Sequence, residues 1–141
     1  MSIEHEFPNL AATGYRVTSP PSPEYNCIAW AVGEQDRWWW PDAMGVCFWP
    51  SDVPREETLP AFIRAFELAG YIAADNAKFE IGFLKLAIYA QNGEPTHAAR
   101  QLSNGRWTSK LGANMDVEHS LDGLAGDLYG TVEVILKLAV S

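Results

Sequence analysis

Two apolar periods divide the chain near Gly70. Before it, apolar positions recur at helical spacing. Tyr25, Ile28, Ala29 and Val32 form one short stripe that ends at Gly33, and Leu59, Phe62, Ile63, Phe66 and Ala69 form a second. Thr58 is placed to cap the second helix, Pro60 is tolerated in its first turn, and Gly70 stops it. The first helix has two readable starts: Ser22 capping with Pro23 at the first helical position, or Asn26 capping directly before Cys27. Between the helices a strand is expected to end at Trp49-Pro50.

Beyond Gly70 the period drops toward two. Phe79 to Tyr89 reads as extended, with Leu84, Leu86 and Ile88 alternating against Phe83, Lys85 and Tyr89. Thr96–Leu102 and Arg106–Leu111 flank Ser103-Asn104-Gly105, and Asn-Gly is a strong hairpin signal. Asp116–Leu124 reads as a turn or short helix, and Tyr129 to Leu138 as a closing strand. The expected architecture is α+β, with N-terminal helices packed on a C-terminal antiparallel sheet. Residues 1–22 read as an irregular arm ending in Ser19-Pro20-Pro21-Ser22-Pro23, and residues 23–141 as a single domain.

Composition narrows the function classes. The chain has 141 residues, 48 % of them apolar and 20 % charged, enough for one continuous core. A formal net charge of −8 argues against nucleic acid, whose affinity rests on Lys and Arg, and favours basic or neutral partners. No apolar run is long enough to span a bilayer, so no membrane partner is expected. The acidic start Met1-Ser2-Ile3-Glu4-His5-Glu6 lacks the cationic and apolar segments of a signal peptide, and a cytoplasmic location follows as the expectation.

Chemistry concentrates at Asn26-Cys27-Ile28-Ala29-Trp30-Ala31. A thiol attacks as thiolate, and the free N–H groups at a helix N-terminus favour that charge. His97, opening a strand in Thr96-His97-Ala98-Ala99-Arg100, is the candidate general base, with His119 its rival. A base of this kind is held by a third polar group. Ser109, Asp116, Glu118 and His119 are the candidates, with Gly112 near the same strand; the carboxylates are chemically better orienters than a serine. Asn26 and the Cys27 N–H would stabilise an oxyanion, while Lys110 and Arg100 could face substrate or water. Trp30, Trp40 and the run Trp38-Trp39-Trp40 are candidates to wall a groove; three consecutive rings cannot all point inward. Cys47, in the apolar stretch Gly45–Pro50, reads as an inert core thiol. Phosphate loops, metalloprotease His pairs and Cys-x-x-Cys spacings are absent, so neither metal nor cofactor is expected.

These residues resemble the papain-like superfamily, including the NlpC/P60 and CHAP groups of bacterial cysteine peptidases and amidases. Those groups carry Cys at a helix start, in contexts similar to Asn26-Cys27-x-x-x-Ala31, and a His that opens a strand followed by a hairpin, as in His97–Trp107. Ser109 stands where they place a His, Asn or Asp. The segments Asn26–Ala31, Trp49–Thr58, Pro95–Arg100 and Arg106–Gly112 also look like an uncharacterised family of small bacterial proteins. The resemblance implies a papain-like thiol hydrolase or transferase acting on an amide or acyl bond of a peptide or amide-containing small molecule. Its catalytic set would be Cys27, His97 and Ser109. A non-catalytic binding module, or a toxin or effector domain of the same fold, is the alternative expectation.

Overall fold

The computed structural model describes residues 3–20, 22, 24–111 and 115–140; Pro23 and Gly112 lie outside them. Two short helices, α1 (Ile3–Glu6) and α2 (Pro8–Thr13), lead into strand β1 (Tyr15–Ser19). Helices α3 (Cys27–Ala31) and α4 (Leu59–Leu68) follow, then β2 (Ile72–Ala73), β3 (Phe83–Gln91), β4 (Glu94–Gln101), β5 (Trp107–Lys110) and β6 (Asp116–His119). A 3-10 turn at Leu121–Leu124 and β7 (Thr131–Ala139) complete the fold. The seven strands form one antiparallel sheet in the order β1-β6-β5-β4-β3-β7-β2. The α+β class is therefore as the sequence predicts.

Alternation along the strands sorts the core into two layers. Leu86, Ile88, Ala98 and Leu136 face α3 and α4, where they meet Ile28, Phe62 and Phe66. Ala87, Tyr89, Ala99, Trp107 and Val117 face the other way, onto Phe7, Leu10 and Leu124. The first residues are thus no irregular arm. Phe7 and Leu10 are buried, β1 pairs with β6, and Asn9 donates to the carbonyls of Asp122 and Ala125. Prolines and sparse periodicity hid this, because the segment's apolar residues serve a layer supplied by distant strands.

Helix α4 forms where its stripe predicts. The Thr58 hydroxyl accepts from the Ala61 N–H at 3.4 Å, and burial of Phe62 and Phe66 contributes roughly 2–3 kcal/mol each. Thr58→Ala should lower stability by about 1 kcal/mol, read as a shift of the urea midpoint at constant m. The strand expected before Trp49 is instead a loop with a single parallel bridge, Trp39 to Phe48. Asp42 organises that loop, accepting from the N–H groups of Val46 (2.8 Å) and Cys47 (2.9 Å) while pairing with Arg55. The β4–β5 hairpin turns at Ser103-Asn104-Gly105 as the sequence predicts, closed by Leu102 N–H to the Arg106 carbonyl at 2.7 Å. A two-residue hairpin lies at Asn92-Gly93, joining β3 to β4 with both residues at positive φ.

Candidate functional site

Helix α3 begins at Cys27 because Asn26 adopts an extended backbone and its side-chain oxygen accepts from the Ala29 N–H at 3.2 Å. The same oxygen takes the Trp39 N–H at 3.0 Å, and the side-chain amide donates to the Trp39 carbonyl at 2.8 Å. Asn26 is thus a buried clip between α3 and the tryptophan loop. That clip takes up its side-chain oxygen and one amide hydrogen, and the residue also lines the cleft beside Cys27.

Cys27 is buried against Ala98 of β4. The N–H groups of Ala98, Ile28 and Cys27 itself face the sulfur, and the Lys110 charge reaches it; all four favour thiolate. Burial outweighs them and pushes the thiol up to about 11. The sequence expectation of a lowered thiol fails for a physical reason. A five-residue helix carries little macrodipole, and loss of water around a charged sulfur costs more than the dipole returns.

His97 pairs with Tyr89 across β3 and β4, one step from Ala98, so its side chain points to the opposite face of the sheet from Cys27. The ring stacks on Tyr129 at 4.2 Å and 8°, and meets the Tyr89 ring edge-on at 5.4 Å. It is completely buried, and neither ring nitrogen has a hydrogen-bond partner. Burial, reinforced by nearby His119, holds its pKa well below the ordinary value. The expected Cys27–His97 dyad is therefore not formed.

Ser109 also departs from expectation. Its hydroxyl is 2.7 Å from His119 Nε2, and His119 Nδ1 is 2.6 Å from the Ser120 carbonyl. A nitrogen facing a carbonyl must carry the hydrogen, so Nε2 accepts from Ser109. Ser109 orients His119, not His97. Burial brings His119 down to about 4.

The face that carries Cys27 holds other polar groups. Lys110 is fully buried, with Nζ donating to the Ser22 carbonyl at 2.6 Å and lying 4.7 Å from the Tyr25 ring centroid. Burial lowers its pKa, while Asp116 and Cys27 oppose that. Tyr25 donates to Asp116 Oδ2 at 3.0 Å, and Asp116 is the cross-strand partner of Lys110. Asp116 Oδ1 is buried without a partner. The sequence weighed Asp116 only as a partner for His97. The strand register that puts it beside Lys110 passes through β6, which the sequence reading placed in a turn or short helix.

A cleft of about 300 Å³ opens at the sulfur, walled by Trp38, Trp40, Cys47, Thr96 and Tyr129. Trp40 lines it as expected, and Trp39 is buried in the core. Trp30 does not line it: its indole N–H reaches the Thr108 hydroxyl at 3.4 Å, and Arg100 covers the ring at 4.6 Å. Cys47, half-buried, belongs to this wall rather than to the core. Among the described residues, no group of three or more His, Cys, Asp or Glu is arranged to hold a metal ion, and no helix is long and apolar enough to cross a membrane.

A family described as Domain of unknown function (DUF7689) matches residues 16–137. No curated protein and no solved structure matches the chain.

Proposed function

We propose that this chain, which belongs to the DUF7689 family of unknown function, is a papain-like thiol hydrolase or transferase acting on an amide or acyl bond. Cys27 is its nucleophile, and Lys110, not His97, is its proton acceptor. The supporting observation is the buried Lys110 amine on the same side of the sheet as the Cys27 sulfur, which opens on the aromatic cleft. A lysine stripped of water loses its proton more easily than one in solution, as in serine–lysine enzymes. Neutral Lys110 takes the thiol proton, the sulfur attacks the carbonyl carbon, and the ammonium returns the proton to the leaving amine. The acyl group then passes from sulfur to water or to another nucleophile.

The Cys27 thiol, pushed up to about 11, is protonated at neutral pH, so its alkylation by iodoacetamide should quicken through the alkaline range. Rates at Cys27 and Cys47 can be separated by peptide mass spectrometry. Lys110→Met should slow Cys27 about tenfold and leave Cys47 unchanged, whereas His97→Phe should leave both unchanged. Slowing by His97→Phe alone would return the base to His97 and overturn the assignment. A second reading, a non-catalytic binding module, is favoured by the protonated, buried sulfur. Equal sluggishness of both thiols at every pH would establish it in place of the enzyme.

A further inference from the structure

Next to the Cys27 cleft lies a wider one of about 680 Å³, bounded by Glu24, Arg37, Val46 and Phe48. Trp38 and Cys47 line both, so the two lobes share a wall. We propose that together they take a polypeptide segment with a bulky apolar side chain next to a basic one. The apolar group would fill the Cys27 lobe and the basic group would lie toward Glu24. This deepens the thiol reading by naming its substrate class, and the groove itself exists whether or not Cys27 reacts.

Three observations carry the proposal. First, Val46, which lines the wide lobe, is 84 % exposed, and Met44, two positions before it in the same loop, is 87 % exposed. The loop that presents them is fixed by Asp42, and Arg55 adds a bond from Nη2 to the Cys47 carbonyl at 2.8 Å. Apolar side chains held in water beside a groove mark a contact surface. Second, Arg37, the one cation lining the wide lobe among the described residues, is neutralised. Arg37 makes two bonds to Glu34, at 2.7 and 3.2 Å, and rests on the Phe48 ring at 3.6 Å. Third, the exposed Glu24 carboxylate, which lines the wide lobe, has no cation partner among the described residues. The rim is therefore negative on a chain of net charge −8, which repels acidic segments and complements a lysine or arginine.

The test uses the full chain carrying Cys27→Ser, titrated with Ac-Ala-Lys-Phe-Ala-NH2 and followed by tryptophan fluorescence. Replacing Lys by Glu, or Phe by Ala, in the peptide should weaken binding about fivefold each, the upper range for an exposed ion pair and a modest apolar contact. Glu24→Gln should erase the Lys-over-Glu preference, as should high salt. Equal affinity for all three peptides, no binding, or a stable dimer of the free chain that occludes the groove would each overturn the proposal. If alkylation still depends on Lys110 in those cases, the thiol reading survives the loss. Selective binding with no Lys110 effect would have the reverse meaning: groove kept, thiol chemistry lost.

Discussion

Gly130→Ala is expected to destabilise the protein by about 4 kcal/mol and to lower its midpoint temperature by roughly 10 °C or more. Gly130 sits at φ +76, and a Cβ there would lie 2.0 Å from the Ala90 carbonyl oxygen and 2.8 Å from its carbon. Those are backbone atoms of β3, so no side chain can step aside. A left-handed non-glycine residue adds about 1–2 kcal/mol of its own. Gly93→Ala separates the two contributions: its φ is +83, yet nothing lies within 4 Å of the added carbon, so its cost should stay near about 1 kcal/mol. Equal losses in the two variants would show that backbone conformation alone matters and that the collision at Ala90 relaxes. Gly130 also closes a small loop through paired bonds with Gly126, which fixes Tyr129 between His97 and the Cys27 cleft. A milder replacement effect on fold should therefore still disturb alkylation of Cys27.

The second large effect is acid destabilisation in a window set by histidine. In the unfolded chain His119 titrates near 6.5, and in the fold near 4. Above 6.5 neither state binds the proton and the fold is unaffected. As pH falls below 6.5 the unfolded chain takes up a proton that the fold refuses, so stability declines until about pH 4. The difference is worth about 3 kcal/mol for His119, and His97, held well below its ordinary value, adds to it. Urea midpoints at pH 7.5 and 4.5 measure the loss. The carboxylates of Glu34 and Asp42, held low by their partners, weaken the fold only in a more acidic range. His97→Phe keeps an aromatic ring against Tyr129 and removes two buried, unpartnered nitrogens, so it should raise stability at pH 5 more than at pH 8. A midpoint that does not move between pH 7.5 and 4.5 would mean both imidazoles gain water in the fold.

What the sequence shows and what it hides follow the reach of each signal. Helix α4 is legible because its cap, stripe and stop lie within a dozen neighbouring residues. Strands β3 and β7 are legible because their apolar residues alternate over nine positions, and β4 because the Asn104-Gly105 turn marks its end. Strand β6 is not: Asp116-Val117-Glu118-His119 has one apolar residue and holds its place through pairing on both sides. The Asn92-Gly93 turn was open to the same rule that marked Asn104-Gly105, and both turn antiparallel hairpins. At the site, the type and place of Cys27 are readable from Asn26 onward. Its partner is not, because one step along a strand exchanges faces. The irregular register at Thr96, visible only once β3 and β4 are paired, governs which face His97 occupies. Spacing between Cys27 and His97 carries no information about that parity.

The pairing of β1 with β6, and of Asn9 with carbonyls 113 and 116 positions away, has a consequence for how the molecule matures. A ribosome releases residues 3–19 long before their partners at 116–125 exist. During that interval Phe7, Leu10 and Tyr15 have nothing to rest against, and the layer holding His97 and His119 stays open. Closure waits on contacts of high sequence separation, a slow class of folding event. Nascent chains should then depend on holdase chaperones in proportion to translation time across that gap.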